Sequence, residues 1–272
     1  MCGVLGTAFG LVAGRMAGVE GAVRQYLGAV VQVAGDVLGA DLVGCYAAGS
    51  LALGGYQPGR SDIDVAVVCA GALTDGHKRT LVARWEALPC PARGVELVVY
   101  GRAVAASGTA DPGFEVELNA GTGLPRRVTW SAALRPAADG LFWYGLDRSI
   151  LHQIGLALCG PPAAEVFADL GDADLRRLLV ESVRWWRDRV PAADDVPAAG
   201  AEEVVLGACR ALVKARCGVW LSKAGAGRRL AGAGFGTALI GRCLAARHGG
   251  APPSGAQARA FSGEVLALLS AR

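Results

Sequence analysis

The feature that most restricts this chain is a pair of aspartates, Asp62 and Asp64, at the head of the valine-rich run Ile63 to Cys69. A stretch this apolar and β-branched reads as a strand. Side chains alternate across a strand, so the two carboxylates point to the same face. Upstream, Asp41 to Ala47 reads as a short buried strand, and Gly49-Ser50 turns the chain into a short helix or loop. Gly54, Gly55, Pro58 and Gly59 mark a tight loop between the two strands.

Apolar residues from Val19 to Leu38 recur at three- and four-residue spacing (Val23, Leu27, Val30, Val31, Ala34, Leu38), the pattern of an amphipathic helix ended by Gly39. Thr80 to Leu88 is expected to be a helix, Val95 to Tyr100 a strand, and Phe114 to Leu118 one more alternating strand. Beyond Ala137 strand signals fade. Asp147–Leu158, Ala173–Val190, Ala201–Leu221, Phe235–Arg247 and Gln257–Leu269 all read as helices, with a loop at Pro191–Gly200. These expectations divide the chain into an N-terminal extension (1–18), an α/β domain with a mixed sheet (19–140) and a helical domain (141–272), with the boundary near 137–146.

Hydrophobic residues make up 53% and charged ones 19%, so 272 residues can bury one large core or two modest ones. A net charge of +3, with scattered arginines and three lysines (Lys78, Lys214, Lys223), speaks against nucleic acid as a partner. No apolar run reaches the roughly 18 residues of a membrane span, and the apolar start, Met1 to Gly14, lacks the positive n-region of a signal peptide. The eight cysteines form no C-x-x-C pair and no metal-ligand spacing with the three histidines, which suits a reduced, cytoplasmic chain. The expected state is a monomer or weak oligomer.

The chemistry lies in the ordered set of Gly-Ser, loop, Ser61-Asp62-Ile63-Asp64, and a later acid inside a strand. Mg²⁺ prefers oxygen ligands and is held by one or two carboxylates plus substrate phosphates. Two such ions clamp the attacking and leaving oxygens of an in-line displacement. Gly49 allows close approach to a phosphate, Ser50 and Ser61 add hydroxyls, and a helix opening here would favour a triphosphate. Glu96 sits in an otherwise apolar strand, where an unpartnered carboxylate is costly. It reads either as a third metal ligand or general base, or as a core acid paired with Arg93 or Arg102. A lone Asp-x-Asp, by contrast, is commonly a strand cap, and Lys223 alone is a solvated helix-end lysine behind Ser222, the N-cap of the next helix. Trp185-Trp186 and His152 read as helix-face residues.

The run Ala48-Gly49-Ser50 through Arg60-Ser61-Asp62-Ile63-Asp64 resembles the signature of the polymerase-β-type nucleotidyltransferases. More narrowly it is similar to the aminoglycoside adenylyltransferases that modify streptomycin and spectinomycin. The likeness continues through Leu156 to Phe167, with its Gly160-Pro161, and through Val204-Val205-Leu206 to Ser222-Lys223. It implies an α+β fold: a polymerase-β-like nucleotidyltransferase domain with a mixed sheet, followed by a helical bundle. It further implies Asp62 and Asp64, with Glu96, as ligands of two Mg²⁺ ions, and Glu96 as catalytic base. Gly49, Ser50, Arg60 and Ser61 would contact ATP, the co-substrate, and Lys223 would reach the triphosphate from the helical domain. His248 falls near the family's base-stacking tyrosine. The implied reaction is transfer of AMP to a hydroxyl of an aminoglycoside-like small molecule, as in antibiotic resistance. The family's antibiotic-contacting tryptophan has no counterpart, since Glu117-Leu118-Asn119-Ala120-Gly121 is followed by Thr122-Gly123. Another acceptor (a secondary metabolite or a protein) and a non-catalytic nucleotide-binding protein are the rival readings. Asp194, Asp195, Glu202 and Glu203, four acids with no base among them, are candidates to line a cleft for a polycation.

Overall fold

The computed structural model describes residues 20–193 and 196–271. The expected N-terminal extension, and Asp194 and Asp195, lie outside the described residues. The chain separates into two compact units, one ending at Leu170 and the other beginning at Gly171.

The first unit is built on a six-stranded mixed sheet. Helix α1 (Gly21–Leu38) stops at Gly39, whose φ of 54° suits glycine. Then come β1 (Leu42–Ala47), the single turn α2 (Gly49–Ala52) and β2 (Ile63–Cys69). Helix α3 (Asp75–Glu86), β3 (Val95–Gly101), the short α4 (Arg102–Ala105), β4 (Phe114–Ala120) and β5 (Arg127–Thr129) follow. Helix α5 (Phe142–Ile154), β6 (Leu156–Cys159) and the turn α6 (Ala163–Val166) complete it. The strand order is β5-β4-β3-β2-β1-β6, with β2 and β3 parallel and every other neighbour antiparallel.

Alternation along the strands feeds two cores. Ile63, Val65 and Val67 of β2, with Val95, Leu97 and Val99 of β3, face α1 and α3, where Leu27, Val30, Leu81 and Trp85 are buried. The Trp85 indole N–H donates to Val30 O at 3.2 Å, tying α3 to α1. Ala66, Val68 and Tyr100 face the opposite side, with Tyr144 and Leu151 of α5 and with Phe167. Burying this much aliphatic surface at roughly 25 cal/mol per Å² is the main force holding the sheet between its two layers.

Three sequence expectations are corrected here. Helix α3 begins at Asp75 rather than Thr80, because the Thr74 hydroxyl caps it by accepting from His77 N. The helix expected over Asp147–Leu158 runs instead from Phe142 to Ile154, where Gly155 releases the chain into β6. That edge strand pairs with β1, so residues 141–170 belong to the sheet unit and the division lies at Leu170/Gly171, not near 140.

The second unit is helical: α7 (Asp172–Arg189), α8 (Ala201–Cys217), α9 (Lys223–Gly232), α10 (Thr237–Ala246) and α11 (Gly255–Ser270). Helix α8 is its buried centre, with Val205, Leu206 and Cys209 fully covered. Ser254 and Gln257 form a capping box at the start of α11. Among the described residues no helix is long and apolar enough to cross a membrane.

Candidate active site

The site is a row of polar side chains set across the sheet by strand register. Asp64 on β2 is the register partner of Glu96 on β3, which in turn pairs with Asn119 on β4, and Asn119 with Arg127 on β5. Ile63 and Val65 flank Asp64 and point into the α1/α3 core, as Val95 and Leu97 do around Glu96. Period-two alternation therefore turns Asp64 and Glu96 to the opposite face, and Asp62, one residue before β2, joins them there. The same alternation puts Glu117 of β4 on that side, between Val116 and Leu118.

The loop before β2 holds this end of the sheet in place. Gly49 has a φ of 49°, and a Cβ added there would overlap Asp64 Oδ2. Only glycine lets the backbone lie this close to the carboxylate. The Ser50 hydroxyl donates to Asp62 O at 3.5 Å. Ser61 is buried, and its Oγ accepts from Gln57 N at 3.0 Å, closing the loop that carries Arg60. Ser61 thus has a structural duty beside the nucleotide contact expected of it. The helix that starts at Gly49 is one turn long, so it offers backbone N–H groups but little of the macrodipole expected from the sequence.

Glu96 is the electrostatic centre. Burial, followed by the charges of Asp62, Asp147 and Glu117, pushes its carboxyl up to about 8, with Arg135 pulling the other way. Neither Arg93 nor Arg102 is among the groups acting on it, so the cation set against Glu96 is Arg135. Arg93 Nε donates instead to Gly123 O. Arg135 is occupied by Glu117: the two form a short ion pair, both side chains about nine-tenths buried or more. Thr129 Oγ1 donates to Glu117 at 3.1 Å, and the Arg135 guanidinium lies 5.3 Å from the Tyr144 ring centre.

Sequence reasoning missed Glu117, Asn119, Arg135 and Asp147. The Phe114–Leu118 alternation was a usable signal for Glu117, since it sets that acid between two core residues. Nothing local marks Asp147, whose role depends on where α5 packs.

Among the described residues no group of three or more acids, thiols or imidazoles is already gathered as a metal site. The donor set nonetheless fits a hard divalent cation. Asp62, Asp64 and Glu96 offer only oxygen, and a bound cation would offset both the burial and the like charges that hold Glu96 up.

The helical unit handles its charges differently. Lys223 Nζ pairs with Glu203 at 3.1 Å and lies 5.5 Å from the Trp186 ring centre. Ser222 caps α9 by accepting from Gly225 N, as the alternative reading of Lys223 expected. Arg247 takes the other Glu203 oxygen, and Glu202 is buried. The acids that looked unbalanced in the sequence are thus partly neutralised by bases brought from other helices. His248 is exposed at the end of α10. Trp185 and Trp186 pack edge to face at 5.1 Å, and in the first unit His152 Nδ1 contacts Phe167 O at 2.7 Å. A cavity of about 700 Å³ in the helical unit is lined by Arg176, Arg177, Glu181 and Leu269, and by no residue expected to act.

No family model matches the chain, and no curated protein matches it. Among solved structures it is similar to a spectinomycin adenyltransferase, AAD(9), from Enterococcus faecialis, crystallised with ATP and spectinomycin. The identity is 17%, the TM-score 0.62, and the match covers 91% of this chain and 99% of that one. At this identity the likeness establishes the fold: a mixed α+β architecture with a six-stranded sheet.

Proposed function

We propose that this protein transfers a nucleoside monophosphate, AMP from ATP, to a hydroxyl of a small aminoglycoside-like acceptor, with release of pyrophosphate. The observation that carries the reading is the register pairing of Asp64 with Glu96, on a face shared with Asp62, within a fold similar to that of an adenyltransferase crystallised with ATP and spectinomycin.

In this reading Asp62 and Asp64 hold Mg²⁺, with Glu96 beside them. The bound ion supplies positive charge to the phosphates and to the carboxylate cluster. Glu96 accepts the proton of the acceptor hydroxyl, whose oxygen attacks the α-phosphorus in line as the bond to pyrophosphate breaks. A cation beside it would favour the ionised form that a base requires. Gly49 keeps the backbone low enough for phosphate to approach, and Ser50 adds a hydroxyl near it.

The test is incubation of the protein with α-labelled ATP and Mg²⁺ across a panel including spectinomycin, streptomycin and other polyhydroxylated amines. Label on one acceptor, lost in Asp64→Asn, supports the proposal. ATP binding by calorimetry without label transfer to any acceptor would favour a non-catalytic nucleotide-binding protein.

A further inference from the structure

A second reactive group lies in the sheet, on strands the proposed reaction does not use. Cys45 on β1 is the register partner of Cys159 on the edge strand β6. The register shifts between Cys45 and Tyr46, so the pair sits at a β-bulge; paired antiparallel residues have Cα atoms roughly 4.5–5.5 Å apart, inside the roughly 4.4–6.8 Å that a disulfide spans. Two glycines allow the close approach. A Cβ on Gly160 would overlap Val43 O, and one on Gly44 would lie 2.8 Å from Cys159 O. Both cysteines are free thiols, Cys45 fully buried and Cys159 half-buried. The two thiols act on each other electrostatically, Cys45 being raised and Cys159 lowered.

We propose that Cys159 and Cys45 form a peroxide-responsive pair that closes into a cross-strand disulfide. The Cys159 thiolate attacks the O–O bond of hydrogen peroxide, giving a sulfenic acid and releasing hydroxide, which leaves as water once protonated. The Cys45 sulfur then attacks the sulfenic sulfur. The S–S bond forms, the S–O bond breaks, and the Cys45 proton leaves with the oxygen as a second water. Two thiols are oxidised and one peroxide is reduced to two waters.

Two features favour this order of events. The neighbouring Cys45 lowers the Cys159 thiol while Cys45 itself is raised, so Cys159 is the one of the pair that ionises first. Its partial exposure also admits the oxidant first, leaving buried Cys45 to resolve the intermediate. The helical unit supplies a contrast. Cys209 and Cys243 are both fully buried, and burial pushes each thiol up to about 12, so they should stay reduced. Closing the bond ties β6 to β1, which leads through Ala48 into Gly49.

The test uses the full chain with Cys2→Ser and Cys217→Ser, which removes an exposed thiol and one outside the described residues. It is titrated with hydrogen peroxide and mapped without reduction. The expected result is a Cys45–Cys159 linked peptide that dithiothreitol reverses, with Cys209 and Cys243 still thiols. Adding Cys45→Ser should instead drive Cys159 to sulfinic acid. No reaction at Cys159, a disulfide elsewhere, or sulfinic acid at Cys159 while Cys45 is present would each overturn the proposal.

Discussion

The two units treat charge in opposite ways. In the sheet unit, strand register sets Asp64 beside Glu96, and burial with the charges of Asp62, Asp147 and Glu117 outweighs Arg135 in holding the Glu96 carboxyl up. In the helical unit, Glu203 collects both Lys223 and Arg247. A sheet fixes its side chains by backbone hydrogen bonds, so it can hold like charges together against their repulsion. Long basic side chains on helices swing to meet an acid. Like charges gathered in a rigid frame are the arrangement expected where a cationic ligand completes the site, and acids met by mobile bases are the arrangement expected of scaffold.

The sharpest way to break this comparison is to remove one carboxylate of the sheet unit's cluster. Asp64→Asn or Glu96→Gln should lower nucleotidyl transfer by about 10²–10⁴-fold while the circular dichroism spectrum stays native. Turnover near that of the wild type in either variant would show that the cluster is not the reacting centre.

Burial, reinforced by the repulsion, also predicts a pH dependence for the metal-free protein. Glu96 is held up to about 8 in the folded state, above its ordinary 4.5. Between those values the folded chain binds a proton that the unfolded chain has lost. Stability contributed by this group is therefore complete below about pH 4.5 and falls as pH rises toward 8, with a slope of at most about 1.4 kcal/mol per pH unit. Denaturant melts of the wild type against Glu96→Gln should diverge over that window, with the variant the more stable at the alkaline end. Magnesium should recover part of the wild-type loss. Parallel curves at all pH values would mean that Glu96 titrates normally.

Gly49→Ala probes the frame rather than the charge. A left-handed φ of 49° costs a non-glycine residue about 1–3 kcal/mol, and the added Cβ overlaps Asp64 Oδ2. The melting temperature should fall, and transfer should fall further than stability alone explains because the carboxylate is displaced. An unchanged melting temperature would show that the loop relaxes freely.

Much of the sheet unit was legible because its signals are local. Valine runs and glycine breaks mark β2 and the loop before it, and two-residue spacing places Asp62 and Asp64 on one side. Glu96 stood out as the acid in an apolar run. What the sequence did not reveal was set by tertiary pairing. β6 is four residues long and becomes a strand only because β1 offers it an edge, so its apolar residues looked like the end of α5. Asp147 and Arg135 matter through packing and had no local mark. In the helical unit the acidic stretch looked unbalanced because its counter-ions, Lys223 and Arg247, lie 20 and 44 residues further along the chain.

That pairing gives the smallest prediction. Lys223 and Glu203 keep 26% and 22% of their side-chain surface, so their ion pair is partly screened and contributes about 1 kcal/mol or less. Glu203→Gln strands two cations, whereas Lys223→Ala leaves Glu203 still neutralised by the more buried Arg247, whose side chain is 9% exposed. Thermal melts should therefore rank Glu203→Gln as the more destabilising change, with Lys223→Ala close to the wild type. If the ranking is reversed, Lys223 carries packing weight through Trp186 that its charge does not explain. If Lys223→Ala melts as the wild type but its KM for ATP rises several-fold, the lysine serves the triphosphate, and the contrast between a functional sheet and a scaffolding helical unit no longer holds at this residue.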